Sequence, residues 1–257
     1  MTVSDRQLRV GGVLVDFLDP SAAADALAAR QIRGDVHLCN AYTVALAAER
    51  PELAASLDGA ALNLPDGTPL AWFARWRGFN GCVRVYGPDL MVDVLDRGRA
   101  SSLSHYLYGS TPEVLAALTD QIEQQWPGVR IVGTEAPPFR SISDDELAMS
   151  LCRADELGAD VVWVGMGTPK QDLLVRRMAE QGNATYVAVG AAFDFIAGLK
   201  RQAPSWMQRA GLEWLFRLVT EPRRLARRYL LYNAKFLRLL VSTDAPNRRR
   251  RSPWRAL

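Results

Sequence analysis

The sequence predicts an α/β protein: a Rossmann-like, mostly parallel sheet flanked by helices, followed by a basic helical C-terminal appendage. Three observations lead to this fold class. Short apolar runs alternate with helical segments through residues 1–198, which is typical of strand–helix–strand units. Two of the runs, 161–164 and 186–189, lead into glycine-rich segments. Residues 221–240 combine arginine pairs with apolar residues at helical spacing.

The first half of the sheet is predicted from five segments. An apolar run at 10–17 predicts a strand, and the alanine-rich stretch 20–30 predicts a helix. A second strand is expected at 36–40 and a helix at 41–50. A short strand at 61–64 then ends at a Pro-Asp-Gly turn.

The second half continues the same alternation. We expect a strand at 104–108, a helix at 112–125 and a strand at 129–133. The helix at 143–157 carries three acidic residues in its first turn, where the helix dipole favours negative charge. Strands at 161–164 and 186–189 enclose a helix at 171–181. No internal repeat interrupts this order.

Glycines follow the last two predicted strands. Gly165 and Gly167 follow the first of them, and Gly190 follows the second. Turns after parallel strands lie on one edge of the sheet, where open α/β folds bind ligands. The first amides of the helix at 171–181 would then face a phosphate group. The alternative is that these glycines only form tight turns, since the complete G-x-G-x-x-G pattern is absent.

Composition limits the class of protein. The chain has 257 residues and is 49% hydrophobic, enough for one large domain with an appendage. We divide it into an α/β domain (1–198), an appendage (199–242) and an Arg-rich tail (243–257) expected to be disordered. Three widely spaced cysteines favour a reducing compartment, and two histidines build no zinc site. No apolar stretch has the length of a signal peptide or membrane span, so a cytoplasmic protein is expected.

Charge is divided unevenly along the chain. Residues 1–198 carry 16 Lys and Arg against 25 Asp and Glu, a net charge of −9, whereas residues 199–257 carry 15 against 3, a net charge of +12. The amphipathic helix at 221–240 can lie on an anionic membrane, aim its arginines at a phosphate ligand, or bind nucleic acid. A solvated surface helix is the fourth alternative. Near a bilayer, the cations and Trp254 of the tail would add attraction to anionic lipid.

Seven segments together resemble the WecG/TagA/CpsF glycosyltransferases in order and spacing, over residues 10 to 240 or so. They are LCN at 38–40, LPDG at 64–67, RVYGPDL at 84–90, GMGTPKQD at 165–172, GAAFDFIAG at 190–198, RQAPSW at 201–206, and GLEWLFRL at 211–218 followed by Glu221 and Pro222.

The resemblance implies transfer of a sugar from a UDP-sugar to a polyprenyl-diphosphate-linked saccharide, with inversion and without a required metal or other cofactor. It places the protein on the cytoplasmic face of a bacterial membrane, in the synthesis of surface polysaccharide or a cell-wall glycopolymer such as teichoic acid. The expected partners are therefore both substrates and an anionic membrane surface, with no nucleic acid. Self-association of the body is left open.

The resemblance also assigns roles to individual residues. Asp66 matches the catalytic base, which must take a proton from the acceptor hydroxyl. Asn40 and Gln171 would orient the reactants, and Arg84 would lie near the site. The substrate-binding residues implied by the resemblance, together with the glycine turns, are Asn40, Arg84, Gln171, Gly165, Gly167, Gly190, Asp194, Arg217, Arg224 and Arg227.

Each assignment has a plainer alternative. Asp66 can cap a helix or form an Asx-turn, Asn40 and Gln171 can cap backbone, and Asp194 can cap a helix instead of supporting the sugar. The appendage arginines suit diphosphate because guanidinium binds phosphate bidentately and stays charged. Removing everything after Gly211 is expected to leave a soluble fold with little transfer activity.

Two positions depart from the family pattern. Leu38 stands where many members have threonine, so the contact of that hydroxyl with a ligand is either lost or supplied by another residue such as Tyr42 or Thr43. Asp172 stands where many have glutamate, which keeps the charge. These changes affect the identity of the sugar more than the reaction class.

Two other classes of protein compete with this interpretation. A non-catalytic nucleotide- or nucleic-acid-binding protein would use the same sheet and basic C-terminus, but the acidic body would repel phosphate. A nicotinamide-dependent oxidoreductase is disfavoured because the chain lacks the dinucleotide fingerprint.

Overall fold

The predicted fold class is confirmed by a computed structural model that describes residues 7–242, apart from the side chains of Ser205, Arg209, Arg224, Arg228 and Ser242. Six strands form a parallel sheet with the order β4-β3-β8-β7-β5-β6. The strands are β3 (Gly34–Cys39), β4 (Leu62–Pro65), β5 (Ser104–Gly109), β6 (Arg130–Glu135), β7 (Val161–Gly165) and β8 (Thr185–Ala188). The predicted Arg-rich tail lies outside the described residues.

The single strand expected at 10–17 is wrong. The segment is part of an antiparallel hairpin of β1 (Gln7–Val10) and β2 (Val13–Asp16), which turns at Gly11 and Gly12 with φ of +54° and +90°. Both residues adopt the left-handed region, where glycine carries no Cβ penalty. The buried Asp16 carboxylate accepts a hydrogen bond from the backbone N–H of Asn63 at 2.8 Å. This bond connects the hairpin to the edge strand β4.

Helices cover both faces of the sheet and continue into the appendage. They are α1 (Pro20–Ala28), α2 (Ala41–Ala47), α3 (Pro51–Asp58), α4 (Thr68–Trp76), α5 (Gly87–Gly98), α6 (Pro112–Gln125), α7 (Asp144–Glu156), α8 (Lys170–Gln181), α9 (Ala192–Ile196), α10 (Ser205–Arg209), α11 (Glu213–Thr220) and α12 (Pro222–Ser242). The helix predicted at 112–125 is α6, with the bounds expected.

Four helices of the body were not predicted, α3, α4, α5 and α9. The first three begin with proline at the first or second position, where the missing N–H costs no hydrogen bond. Helix α4 follows the Pro-Asp-Gly turn directly, and α5 starts inside the family segment at 84–90. The Pro-Asp-Gly turn and the segment at 84–90, both recognisable as motifs in the sequence, thus each lead into a helix.

The core lies on both sides of the sheet because successive strand residues point to opposite faces. On β7, Val161 and Trp163 pack with α1, α5, α6 and α9, whereas Val162 and Val164 pack with α7 and α8. A third apolar cluster joins the hairpin to α2, α3 and α4 and includes Phe236 of α12. The C-terminal helix is thus packed into the body along part of its length.

None of the described helices combines the length and the apolar character needed to cross a bilayer. The longest, α12, is 21 residues long and carries cations along its length.

Candidate active site

A cavity of about 720 Å³ lies between the carboxyl edge of the sheet and the appendage. Its walls come from the loops after β3 and β4, from α4, and from α11 and α12. The lining residues used below are Asn40, Tyr42, Asp66, Trp72, Trp76, Arg84, Tyr86, Glu213, Trp214, Arg217, Phe236 and Leu240. One end of the cavity is charged, and the rest is largely aromatic and aliphatic.

Asp66 lies at the charged end, directly after β4. Its backbone N–H donates to the carbonyl of Cys39 at 2.7 Å, so the neighbouring strand determines where the turn begins. The side-chain Oδ1 accepts the Gly87 N–H at 3.4 Å. Burial raises the pKa of Asp66 to about 7, Glu213 adds to the rise, and Arg84, Arg217 and the Gly87 hydrogen bond oppose it. A carboxylate with this pKa can accept a proton near neutral pH.

Asn40 has a structural task as well as a place in the cavity. Its Oδ1 accepts the backbone N–H groups of Tyr42 and Thr43 at 3.0 and 3.1 Å and caps α2. The capping alternative is therefore present, and it leaves the Nδ2 amide to donate to a ligand. Tyr42 and Thr43 are the two residues that could supply the hydroxyl missing at Leu38. Tyr42 lines the cavity, whereas Thr43 is buried.

Arg84 is held on three sides. Its Nη1 is 2.6 Å from Oε2 of Glu213, and its Nη2 donates to Oε1 of Gln208 at 3.3 Å. Its guanidinium carbon lies 4.5 Å from the centre of the Tyr86 ring, a cation–π distance. Two of these three partners belong to the appendage.

Among the appendage arginines whose side chains the structure describes, Arg217 lines the cavity. It lies one helical turn after Glu213 on α11, so both side chains are on one face of that helix. Its guanidinium carbon is 5.8 Å from the centre of the Phe195 ring. Its buried Nε has no hydrogen-bond partner among the described residues. A buried donor without a partner is unusual in a folded protein, which makes this guanidinium group a candidate for binding an anionic ligand.

The glycine turns lie along the same sheet edge but outside the cavity wall. Gln171 is buried, and its Oε1 accepts the Gly167 N–H at 2.8 Å, so it shapes the turn after β7. A Cβ at Gly190 would lie 3.7 Å from the Gln171 amide, and a Cβ at Gly87 would lie 3.3 Å from the Val189 carbonyl oxygen. These contacts connect the glycine turns with the Asp66 turn.

The glycines differ in what they require. A Cβ at Gly165 would lie 2.7 Å from the Phe193 ring, so packing alone demands glycine there. Gly167 has φ of +80°, which favours glycine, and open space around its missing Cβ, although its N–H is already donated to Gln171. Its role in substrate binding stays a prediction.

Two further predicted residues are not part of the cavity lining. Asp194 pairs with Lys200 at 2.8 Å and does not line the cavity. Arg227 is exposed and is not part of the cavity lining. The Arg224 side chain lies outside the described part of the chain. The predicted substrate contacts of these residues stay predictions.

A buried charged cluster lies behind the site. His37 of β3 is between the carboxylates of Asp35 and Asp172, at 3.0 and 3.1 Å. Burial alone would lower the pKa of His37, but the hydrogen bonds and charges of the two carboxylates outweigh it and raise the pKa to about 9. Asp172, which stands where many family members have glutamate, therefore pairs with His37. This pair fixes the start of α8 against the sheet.

Sequence reasoning did not assign roles to several cavity residues. Tyr86, Glu213 and Trp214 lie inside the quoted family segments, and Glu213 is one of only three acidic residues in 199–257. Trp72 and Trp76 are four residues apart on α4, which places both on one helix face. Two sequence signals could have pointed to these cavity residues. One is the acidic Glu213 in a basic segment, and the other is the pair of tryptophans that follows the Pro-Asp-Gly turn.

In residues 7–242 no three His, Cys, Asp or Glu side chains are grouped so that they could hold a metal ion. The expectation of a metal-independent site remains a prediction.

The arrangement can support group transfer from an anionic donor. A carboxylate able to accept a proton lies within electrostatic reach of two guanidinium groups, beside an apolar space large enough for a second substrate. The family model described as "Glycosyl transferase WecG/TagA/CpsF family" matches residues 8–251. This match extends over nearly the whole chain, the sheet edge and the appendage included. The chain therefore belongs to the WecG/TagA/CpsF family of glycosyltransferases.

Proposed function

We propose that the protein is an inverting glycosyltransferase that moves a hexose or N-acetylhexosamine-type sugar from a UDP-sugar to a polyprenyl-diphosphate-linked acceptor. The observation that carries this proposal is Asp66 at the charged end of the cavity, with a raised pKa and with Arg84 and Arg217 in electrostatic reach. A base next to cations meets the two requirements of the reaction, proton removal and stabilisation of a leaving diphosphate.

The proposed reaction is a single displacement. The acceptor hydroxyl oxygen attacks the anomeric carbon while Asp66 takes the hydroxyl proton. The bond from the anomeric carbon to the diphosphate oxygen breaks, and its electron pair leaves with UDP. Attack on the face opposite the leaving group inverts the anomeric centre. The guanidinium groups of Arg84 and Arg217 bind the developing negative charge.

The proposed acceptor is supported by the shape of the cavity. Away from Asp66 its walls are aromatic and aliphatic, with Trp72 and Trp76 on one side and Leu240 on the other. Such walls suit a partly apolar, lipid-linked molecule better than a free sugar. The cationic appendage supports docking at the inner face of the cell membrane, where bacterial surface polysaccharides or wall glycopolymers are assembled.

The test is UDP release with a panel of UDP-sugars, with and without a polyprenyl-diphosphate-linked sugar, for the native protein and Asp66→Asn. We expect release that requires the acceptor and falls at least about 100-fold in the variant, because general-base catalysis contributes roughly that much. Asp120→Asn is the matched control, since it changes an exposed carboxylate of α6 that lies outside the cavity. Release that Asp66→Asn leaves unchanged would move the base elsewhere, and no release with any donor would overturn the proposed function.

A further inference from the structure

A second carboxylate, Glu213, reaches the charged end of the cavity from the appendage. It is the first residue of α11, only 9% exposed, and lines the cavity together with Asp66. A carboxylate removed from water is costly unless it is paired. Its partner is Arg84, which comes from the segment before α5 and is 129 residues away in sequence.

The ion pair determines where the Arg84 guanidinium lies. Arg84 Nη1 donates to Oε2 of Glu213 at 2.6 Å, and Nη2 donates to Oε1 of Gln208 at 3.3 Å. The Tyr86 ring packs against the flat face of the guanidinium group. Both hydrogen-bond partners belong to the appendage, and Tyr86 alone belongs to the body. Without them, Arg84 would keep only the ring contact, and a long side chain with one contact samples several rotamers.

A neighbouring contact keeps the appendage in register with the body. Gly211, two residues before Glu213, has φ of +72°, and a Cβ there would lie 2.9 Å from Thr68 Oγ1 and from the Trp72 ring. The chain thus passes close to α4 just before α11 begins. Glu213 is delivered to Arg84 by a tightly packed turn.

We propose that Glu213 is a positioning residue of the transfer site, which holds the Arg84 guanidinium beside Asp66 when the appendage lies on the sheet edge. This inference rests on the proposed function and adds a residue to it. Glu213 acts through Arg84 and takes no proton from the acceptor. The pairing makes the geometry of the body's arginine depend on the appendage.

The charges around Asp66 give the inference a measurable signature. The facing groups are Glu213 and Arg217 from α11 and Arg84 from the body, with Tyr86 beside them; Asp89 of α5 lies within electrostatic reach of Arg84 and Glu213. Glu213 raises the pKa of Asp66, and the two arginines lower it. Removing the Glu213 charge therefore lowers that pKa, and removing the Arg84 charge raises it.

The experiment compares Glu213→Gln, Arg84→Gln and the double variant with the native protein, using the pH dependence of kcat/KM for UDP release. We expect the acidic limb of Glu213→Gln to move down by about one pH unit and that of Arg84→Gln to move up, since a neighbouring charge shifts a pKa by about 1–3 units. The rate of Glu213→Gln should fall roughly 10- to 100-fold, as for other losses of alignment.

The double variant distinguishes positioning from an independent role. If Glu213 works through Arg84, the double variant should be no slower than Arg84→Gln, and its acidic limb should return toward the native position. The inference would be overturned if the fall in kcat/KM of the double variant equalled the product of the two single falls. It would also be overturned if the acidic limb of the pH profile did not move in Glu213→Gln. Glu180→Gln, which removes an exposed carboxylate of the Arg176 pair on α8, is the charge-matched control and should match the native enzyme.

A second measurement needs no turnover. Titration of the Asp66 carboxyl carbon by NMR, assigned by its loss in Asp66→Asn, should show a lower midpoint in Glu213→Gln and a higher one in Arg84→Gln. Equal midpoints in all three proteins would overturn the inference even if the native enzyme is active. Shifted midpoints without turnover by the native protein would instead reject the proposed function and keep the Glu213–Arg84 arrangement.

Discussion

At the scale of single residues, the Asp66 carboxylate destabilises the fold in its charged form. Its pKa in the folded protein is about 7, against an ordinary value of 3.8. Between these two pH values the folded state binds a proton that the unfolded state has released. The free energy of unfolding therefore decreases as pH rises from about 4 to about 7, and it stays lower above that range.

Asp66→Asn is expected to stabilise the protein at pH 8 while removing its activity. The asparagine has almost the same shape and no charge to bury, so the free energy of unfolding at pH 8 should rise by about 1–3 kcal/mol, one pKa unit being worth about 1.4 kcal/mol and access from the cavity reducing the total. Urea unfolding at pH 4, 6 and 8 measures this. An equal gain at pH 4 would show that the charge is not its source.

At the scale of elements, α12 connects the cavity to the core. Phe236 is 2% exposed and packs in the cluster of the hairpin and α2, and Tyr232 meets Tyr42 edge-on with ring centres 4.8 Å apart. Lys235 pairs with Glu49 of the body. Truncation after Gly211 would uncover this apolar face. Contrary to the sequence-based expectation of a soluble remnant, we therefore expect the truncated chain to be destabilised, which obscures any catalytic role of the appendage.

Phe236→Ala tests this packing more cleanly than truncation does. Removing a buried phenylalanine side chain costs about 3–5 kcal/mol, so the urea midpoint should fall clearly. Leu237→Ala is the matched control, because Leu237 is the next residue on the same helix and is 61% exposed. If the two variants lose the same stability, α12 does not belong to the core.

At the scale of the whole molecule, charge and exposed apolar surface coincide in the appendage. The body carries −9 and residues 199–257 carry +12. Trp206, Val219 and Leu230 are exposed there, at 59%, 72% and 78%. Cations with aromatic and aliphatic side chains between them are typical of surfaces that bind anionic membranes.

We predict that the protein sediments with vesicles containing anionic lipid and not with neutral vesicles, and that raising salt from about 0.05 to 0.5 M releases it through screening. Replacing Arg223, Arg227 and Arg238 with glutamine should weaken the binding, since each cation near the surface contributes about 1 kcal/mol. Replacing Arg33, Arg130 and Arg140 of the body is the charge-matched control. The prediction would be contradicted if neither raised salt nor replacement of the appendage arginines reduced sedimentation with anionic vesicles.

Much of the fold and part of the site could be predicted from local pattern. The buried strand at 161–164 and the helix at 112–125 follow from apolar periodicity, and Asp66 and Asn40 follow from their family segments. The hairpin was missed because the prediction treats the segment 10–17 as one apolar run, although Gly11 and Gly12 between two short alternating runs are a signal for a two-residue turn. The exposed position of Arg227 could not be predicted either, since its spacing alone does not say which face of α12 meets the body.

By itself, the sequence determined the fold class, the family and the chemistry available at the sheet edge, because period, turn residues and side-chain type are local properties. The tertiary structure alone decided which groups meet. Glu213 pairs with Arg84 across 129 residues, and Arg217 joins them near Asp66. Such pairings depend on how the appendage packs against the body, and the electrostatics of Asp66 depend on that packing because burial and neighbouring charge set its pKa.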